Sequence, residues 1–203
     1  MSIFRAEYIK DCLAAQPSVS IDFNSPGRRA AVAVVLVPNE FDTQALFILR
    51  AAKKGDPWSG QMAFPGGHYE AGDDNLRVTA ERETREEVGL DLTKVGHYLG
   101  EFSPVKANPR GNMDMLVVPQ VFSLEAKPEG LQPNYEVADI LWGDLGKMLD
   151  RQLLTHSSFP QFSRSAVFPG YQVGDEVVWG LTFRMLNDFF SLLVPDWRAP
   201  ADD

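Results

Sequence analysis

Cysteine and histidine are scarce in this sequence of 203 residues, which has one cysteine, Cys12, and three histidines. A single cysteine excludes an internal disulfide and the paired-cysteine patterns of zinc ribbons and redox motifs. Cys12 falls with Ile9 and Leu13 on one face of a predicted N-terminal helix. We therefore interpret it as a small buried hydrophobe rather than as a reactive thiol.

An excess of basic residues is also lacking. The chain has 19 lysines and arginines against 28 aspartates and glutamates, which gives a formal net charge of -9. A net negative field repels phosphates, so this balance argues against a nucleic-acid polymer or an anionic membrane as the partner. A small polyphosphate substrate is compatible with it, provided that a metal ion supplies positive charge.

Long hydrophobic runs are missing as well. The longest, Ala30 to Val37, is far shorter than the roughly 20 residues that a membrane helix needs. Charged residues interrupt the segment from Met1 to Pro17, which therefore lacks the apolar core of a signal peptide. From these absences we expect a soluble protein in the reducing setting of the cytoplasm.

The hydrophobic pattern predicts one α/β domain with a mixed sheet and helices packed on it. We find no internal repeat and no shift in composition that marks a domain boundary. Helices are predicted near Ile9, over Leu76–Val88 with Gly89 as the stop, over Asp144–Asp150 and over Leu181–Leu193. Strands are predicted over Ala30–Val37, Leu46–Arg50, Lys94–Phe102, Met115–Leu124, Val137–Trp142, Ser165–Phe168 and Val177–Trp179, and loops over Pro17–Gly27 and Lys53–Gly67.

The helix over Leu76–Val88 carries the strongest functional signal. At about 100° per residue, Glu83, Glu86 and Glu87 fall within one arc of about 100°. Like charges four residues apart destabilise an isolated helix, but a hard divalent cation would reverse that effect, because it prefers carboxylate oxygens. The alternative is an ordinary solvated helix face, since charge runs are usually solvated. The glycine-rich loop Phe64-Pro65-Gly66-Gly67 just ahead of the helix favours a ligand site, because glycine permits close backbone approach.

These residues resemble the signature of the Nudix hydrolases, G-x5-E-x7-R-E-U-x-E-E-x-G-U, where U is aliphatic. The run from Arg82 to Leu90 matches at every charged and glycine position, with Thr84 in the first aliphatic slot. Counting from Gly67, the acidic position falls on Asp73, and one extra residue precedes Arg82. Both departures are similar to the coenzyme A pyrophosphatase branch. The resemblance implies an α/β/α sandwich with a mixed sheet, in which residues 1–203 form a single domain with an N-terminal helix and a C-terminal helical extension.

The resemblance also implies the chemistry: Mg²⁺- or Mn²⁺-dependent hydrolysis of a pyrophosphate bond in a nucleoside-diphosphate-linked compound. The implied metal ligands are Glu83, Glu86, Glu87 and the carbonyl of Gly66, and Arg82 would orient a carboxylate. A carboxylate would accept the proton of the attacking water. The candidates for that role are Glu86 and a loop glutamate, Glu129 or Glu136.

Residues upstream of the signature bear on the substrate. Arg50-Ala51 and Gly60-x3-Phe64-Pro65-Gly66-Gly67 resemble the coenzyme A branch, as does the run from Trp179 to Thr182. The second arginine of that pattern is missing; Lys53, Lys54 and Gly55 stand near its place. We predict coenzyme A or a derivative as the substrate, with Arg50 and the loop residue Arg110 as substrate-binding residues. The alternative substrates are ADP-ribose and nucleotide sugars.

Two other classes of function stay open. One is a catalytically silent binding module of the same fold, and the other is a helical interaction protein that presents its acidic face to a basic partner. The apolar N-terminal helix and the helix over Leu181–Leu193 fit a homodimer contact and an intramolecular core equally well.

Overall fold

The structure is a computed structural model that describes residues 3–17, 28–38, 42–56, 58–107, 115–159 and 167–200. Within these ranges the helices are α1 (Ala6–Ala14), α2 (Leu76–Val88), α3 (Leu92–Val95), α4 (Leu145–Leu149) and α5 (Gly180–Leu193). The strands are β1 (Arg28–Pro38), β2 (Thr43–Arg50), β3 (Met62–Ala63), β4 (Gly66–His68), β5 (His97–Glu101), β6 (Val105–Lys106), β7 (Met115–Ser123), β8 (Val137–Asp144), β9 (Leu154–Ser158), β10 (Val167–Val173) and β11 (Glu176–Trp179).

A mixed sheet of eight strands forms the centre of the molecule. Its main path runs β3-β2-β1-β7-β5, while β4 pairs with β1, β6 with β7 and β8 with β2. The pairing of β1 with β7 is parallel, and β1 pairs with both β2 and β4 in the antiparallel sense. Because β4 pairs with one half of β1 and β2 with the other, β1 fixes the glycine loop relative to the sheet.

Both faces of the sheet are covered, which explains why β1 is an unbroken apolar run. Ala31, Ala33 and Val35 pack with the apolar side of α2, whereas Val34 and Leu36 point to the other face and pack with α1, α4 and α5. The predicted α/β class and the α/β/α sandwich with a mixed sheet are therefore confirmed.

A second sheet of three antiparallel strands, in the order β11-β10-β9, packs in the same core as α5. The hydroxyl of Tyr171 in β10 donates to Oδ1 of Asn187 in α5 at 2.9 Å, and both side chains are buried. A polar pair in the core needs its partner, because neither group reaches water. The bond therefore links the small sheet to the C-terminal helix.

Most of the strands and helices predicted from sequence are confirmed. The corrections concern short elements inside a predicted loop or at the end of a predicted strand. The segment Lys53–Gly67 was predicted to be a loop but contains β3 and begins β4. The strand predicted over Lys94–Phe102 is shorter, since α3 occupies its start. The short strands β6 and β9 were not predicted. A two-residue strand such as β6 carries no periodicity of its own, and β9 is mostly polar, with the sequence Leu-Thr-His-Ser-Ser.

Helices α1 and α5 pack against each other inside this chain. Phe4 and Phe190 meet edge to face with ring centroids 6.2 Å apart, and Tyr8 donates its hydroxyl to the carbonyl of Leu193 at 2.8 Å. Their apolar faces thus belong to an intramolecular core, the second of the two alternatives above; the homodimer stays a prediction. None of the helices in the described ranges is long and apolar enough to span a membrane.

Candidate active site

Helix α2 has strong local signals at both ends, which fix its register relative to the glycine loop. The side chain of Asn75 caps the first turn by accepting from the backbone N–H of Val78, and Gly89 ends the helix with φ of 75°. Thr84, which stands in the aliphatic slot of the signature, is fully buried and donates its hydroxyl to the carbonyl of Ala80 at 2.7 Å. The hydroxyl that Thr84 brings in place of an aliphatic side chain is therefore hydrogen-bonded within the helix.

Arg82 lies at the centre of the hydrogen bonds of the site. Its Nη1 donates to Oε1 of Glu83 at 3.0 Å and to Oε2 of Glu86 at 3.3 Å, and its Nη2 donates to the carbonyl of His68 at 3.0 Å. The guanidinium thus connects the loop after β4 to two carboxylates of α2. The prediction that Arg82 holds a carboxylate agrees with these contacts.

Asp73 was given no role by the sequence reasoning beyond its position in the motif. It is 5% exposed and accepts from Arg82 twice, at Oδ1 from Nε (3.0 Å) and at Oδ2 from Nη2 (3.1 Å). It also accepts from the hydroxyl of Thr79 at 2.8 Å and from the N–H of Glu70 at 3.1 Å. The bidentate bond to Arg82 lowers the pKa of Asp73, and the same bond raises that of Arg82. The sequence signal was the first of two adjacent aspartates in a glycine-containing turn, nine residues before an arginine.

Glu83 and Glu87 approach the glycine loop from α2. A Cβ atom on Gly67 would lie 2.3 Å from Oε1 of Glu83, so only glycine leaves room for that carboxylate. The N–H of Gly66 donates to Oε2 of Glu87 at 2.8 Å. The two glycines were expected to let the backbone come close to a ligand. In the structure they let it come close to the carboxylates of α2.

Burial raises the pKa of both carboxyl groups. For Glu83 it outweighs the opposing effect of Arg82. For Glu87, which is 3% exposed, burial raises the pKa to about 8. The hydrogen bond from Gly66 lowers this pKa, and the repulsion from Glu83 raises it further. The acidic face is consequently not an ordinary solvated helix surface. This geometry disfavours the reading in which it docks onto a basic partner.

Glu136 lies in the segment that follows Gly130 and is held from both sides. Its N–H donates to Oδ1 of Asn134 at 2.7 Å, and its carbonyl accepts from the N–H of Ala51 at 2.8 Å. Asn134 in turn donates its N–H to the carbonyl of Glu87 at 2.9 Å. The segment thus connects the end of α2 to the end of β2 and places Glu136 opposite the glycine loop.

Arg50 ends β2 on the other side of the same cleft. Its Nη2 donates to Oδ2 of Asp56 at 2.8 Å, whereas its Nε is buried without a hydrogen-bond partner in the described residues. Burial alone would raise the pKa of Asp56, but the bonds from Arg50 and from the N–H of Trp58 outweigh it, and the pKa is lowered. An orphaned guanidinium N–H in a cleft favours an anionic ligand.

These residues surround one cleft of about 590 Å³. Of the residues predicted from sequence, the cleft is lined by Arg50, Gly66, Glu83, Glu87 and Glu136. Glu86 does not line it: its side chain is 52% exposed and lies against Arg82. Glu129 is exposed and does not line it either. Arg110 lies outside the described residues.

The donor atoms at the glycine loop fit a hard divalent cation. Glu87 is a buried carboxylate and Glu83 is a partly buried one of like charge, and no described side chain forms an ion pair with Glu87. Burying such groups together is unfavourable unless a cation or a proton neutralises them. The described residues contain no ready-made group of three or more acidic, histidine or cysteine side chains that would hold a metal. Glu86, the third carboxylate predicted as a ligand, accepts from Arg82 at 3.3 Å, as Glu83 does at 3.0 Å, and its role as a ligand stays a prediction.

A second cavity, of about 680 Å³, lies between α1, β5 and the start of α2. Its polar side chains bond to one another: Tyr98 donates to Gln120 at 2.8 Å, and Gln120 donates to Glu101 at 2.8 Å. None of the described residues that were predicted to be functional lines this cavity. The cleft at the glycine loop is therefore the better candidate for the active site.

Comparison with known proteins agrees with this geometry. Residues 27–162 match the family model described as the NUDIX domain, which covers the sheet, α2 and every described residue of the cleft except those of α5. The chain belongs to the Nudix family. The signature resemblance read from the sequence is therefore confirmed.

Among relatives of this Nudix chain, the mouse mitochondrial coenzyme A diphosphatase NUDT8 is 31% identical over 178 residues, which covers 85% of this chain and 83% of the relative. The human protein of that name is 30% identical and covers 95% and 84%, respectively. A MutT/nudix family protein from Enterococcus faecalis has a solved structure with TM-score 0.49 and 18% identity, covering 87% of this chain and 70% of that one. The protein is thus a Nudix hydrolase, an enzyme class that acts on pyrophosphate bonds of small nucleotide compounds.

Proposed function

We propose that this Nudix hydrolase cleaves the pyrophosphate bond of coenzyme A or a close derivative, with a divalent cation, Mg²⁺ or Mn²⁺, as cofactor. One observation carries the proposal. A single cleft is lined by two carboxylates of α2, the buried Glu87 and the partly buried Glu83, and by the cationic side chains of Arg50, Lys53 and Lys54. Similarity to the two coenzyme A diphosphatases over most of the chain supports the choice of substrate.

In this proposal Glu83 and Glu87, with the carbonyl of Gly66, hold the cation. When bound, the cation neutralises charge on the diphosphate and lowers the pKa of water. Glu86 lies on the solvent-exposed side of the acidic helix, where its carboxylate pairs with Arg82. Arg82 is a positioning residue, since its contacts run to carboxylates and to the loop rather than into the cleft.

Glu136 is the better placed of the proposed proton acceptors, because it lines the cleft while Glu129 does not. Its backbone is fixed by Ala51 and Asn134, so its carboxylate faces the acidic helix from a defined position. Water adds its oxygen to one phosphorus, the bridging P–O bond breaks, and the proton passes to a carboxylate. From coenzyme A the products are 3′,5′-ADP and 4′-phosphopantetheine.

Arg50 would bind the substrate phosphates through the Nε that lacks a partner. For Arg110, which lies outside the described residues, a substrate contact stays a prediction from sequence. Action in the cytoplasm also stays a prediction; the two relatives are named as mitochondrial.

The test is a substrate panel of coenzyme A, ADP-ribose and a nucleotide sugar, with purified protein, with and without Mg²⁺ or Mn²⁺, and with products separated by anion exchange. We expect metal-dependent release of 3′,5′-ADP from coenzyme A. Cleavage of ADP-ribose or the sugar alone would overturn the choice of substrate. Absence of turnover on every compound would support the silent binding module instead.

Two variants separate an enzyme from a binder. Glu87→Gln keeps an oxygen that can accept from Gly66, so the loop stays in place while the charge is lost. We expect it to abolish turnover and to leave nucleotide binding within a few-fold of the wild type. Glu125→Gln is the matched control, since Glu125 is exposed and does not line the cleft, and it should keep full activity.

A further inference from the structure

The turn that follows Arg50 forms a cationic wall of the cleft. Lys53 and Lys54 both line the cleft that Glu83 and Glu87 also line. This wall is separate from the acidic helix in sequence and comes from the connection between β2 and β3. The cleft thus has one side suited to a metal-bound diphosphate and another suited to a bare anion.

The two lysines differ from Arg50 in how far their charge is already neutralised. Arg50 is bonded to Asp56 at 2.8 Å. Nζ of Lys53 lies 3.7 Å from Oε1 of Glu136 with a side chain that is 69% exposed, which is a loose surface pair. Lys54 forms no ion pair or side-chain hydrogen bond with any residue that the structure describes. Both ammonium groups are therefore available to an incoming anion.

The backbone of this turn is held in place before any ligand arrives. The N–H of Lys53 donates to Oγ of Ser59 at 2.8 Å, and the carbonyl of Lys53 accepts from the N–H of Asp56 at 3.2 Å. Gly55 takes φ of 88°, a conformation that favours glycine. A turn fixed in this way loses little freedom when it binds, so weak cationic contacts can still discriminate between ligands.

We infer that Lys53 and Lys54 bind a phosphate monoester on the nucleotide half of the substrate, distinct from the pyrophosphate that is cleaved. The inference rests on the proposed function and deepens it. In the proposed function a cation at the acidic helix neutralises the scissile diphosphate. Two further ammonium groups line the cleft, Lys53 in a loose ion pair and Lys54 in none with a described residue, and they match a second anion. Coenzyme A carries such a group, the 3′-phosphate of its ribose, whereas dephospho-coenzyme A, ADP-ribose and nucleotide sugars lack it.

Binding of two nucleotides tests the inference without turnover. Isothermal titration calorimetry would compare 3′,5′-ADP with 5′-AMP, which differ only by the monoester. We expect the wild type to bind 3′,5′-ADP about tenfold more tightly, as for a charge-assisted contact. In the double variant Lys53→Ala/Lys54→Ala the two affinities should become equal. The double variant to arginine should keep most of the difference.

Lys94→Ala is the matched control, because Lys94 is an exposed lysine on α3 that does not line the cleft. It should keep the tenfold difference. Equal binding of the two nucleotides by the wild type, or an unchanged difference in the double alanine variant, would overturn the inference. Neither outcome depends on whether coenzyme A is cleaved, so failure of the subsite and failure of the proposed reaction are distinguishable.

Kinetics give a second readout. If coenzyme A is cleaved, the double alanine variant should raise KM for coenzyme A about tenfold and leave KM for dephospho-coenzyme A and both kcat values within twofold. A fall in kcat on both substrates with no change in the ratio of KM values would contradict a role in binding the monoester.

Discussion

At the scale of single residues, the contact between Asp73 and Arg82 determines how the acidic helix meets the loop. Asp73 is 4% exposed and Arg82 is 17% exposed in their side chains, and two hydrogen bonds join them. We expect Asp73→Asn to lower the free energy of unfolding by about 2 kcal/mol, because a bond to a charged group is lost while Arg82 keeps its other acceptors. Urea denaturation measures this change. Asp74→Asn, at an exposed neighbouring position, should leave the stability unchanged.

The same contact predicts a pH dependence. Arg82 lowers the pKa of Asp73 below its usual value. A carboxyl group with a lowered folded-state pKa stabilises the protein above its unfolded pKa of about 3.9 and loses that effect as the pH falls through the folded value. The stability difference between the wild type and Asp73→Asn should therefore be constant from pH 7 to about pH 5 and shrink below about pH 4. Urea titrations at pH 7, 5 and 3 would show it; a difference that grows on acidification would contradict the assignment.

At the scale of the elements, two buried threonines on α2 make opposite predictions. Thr84 bonds within its own helix to Ala80, whereas Thr79 donates to the carboxylate of Asp73. Thr84→Val removes a bond that the helix does not need, so we expect a change within about 0.5 kcal/mol. Thr79→Val leaves a buried charged oxygen with one donor fewer and should cost about 1.5 kcal/mol. Thermal or urea unfolding of the pair measures both, and equal losses would contradict this account.

The two glycines of β4 also give different predictions, one for activity and one for stability. A Cβ on Gly67 would meet the carboxylate of Glu83, while one on Gly66 would lie 2.2 Å from the backbone oxygen of Ala31. Gly67→Ala should displace the far end of a side chain and lower kcat by about 10² with little loss of stability. Gly66→Ala should instead destabilise the pairing of β4 with β1. A melting curve beside a kcat measurement separates the two effects.

Much of this arrangement was readable from the sequence, and the limits have a physical cause. Helix α2 was predicted to the residue, because helix formers and the stop at Gly89 are local signals. The strands β3 and β4 were assigned to a loop, since their partners lie in β1 and β2. Helical spacing also placed Glu86 on the arc of Glu83 and Glu87 and within reach of Arg82, four residues before it. It could not show that Arg82 also reaches back to Asp73.

At the scale of the whole molecule, the small sheet and α5 share one core, and α5 contributes to the cleft. Leu181, Thr182 and Met185 of α5 line it, and the hydroxyl of Thr182 donates to the carbonyl of Met62 at 3.2 Å. The site is thus built from segments far apart in the chain. This layer depends in turn on the buried pair of Tyr171 and Asn187.

That pair gives a prediction for global stability. Tyr171→Phe would leave Oδ1 of Asn187 buried without its donor, and we expect a loss of about 1–2 kcal/mol in the free energy of unfolding. Tyr135→Phe is the control, because Tyr135 is 84% exposed and loses only a hydroxyl in contact with water. Chemical denaturation of both variants decides; an equal effect on the two would contradict a role of the buried bond in joining the layers.

Glu87 connects two walls of the cleft at once. Its carboxylate accepts from Gly66, and its carbonyl accepts from Asn134, two positions ahead of Glu136. The glycine loop, the acidic helix and the segment that carries Glu136 are therefore joined through this one residue. The turn with Lys53 and Lys54 takes no part in those two bonds, so substitutions of its side chains should change the substrate range while the hydrolytic residues stay in place.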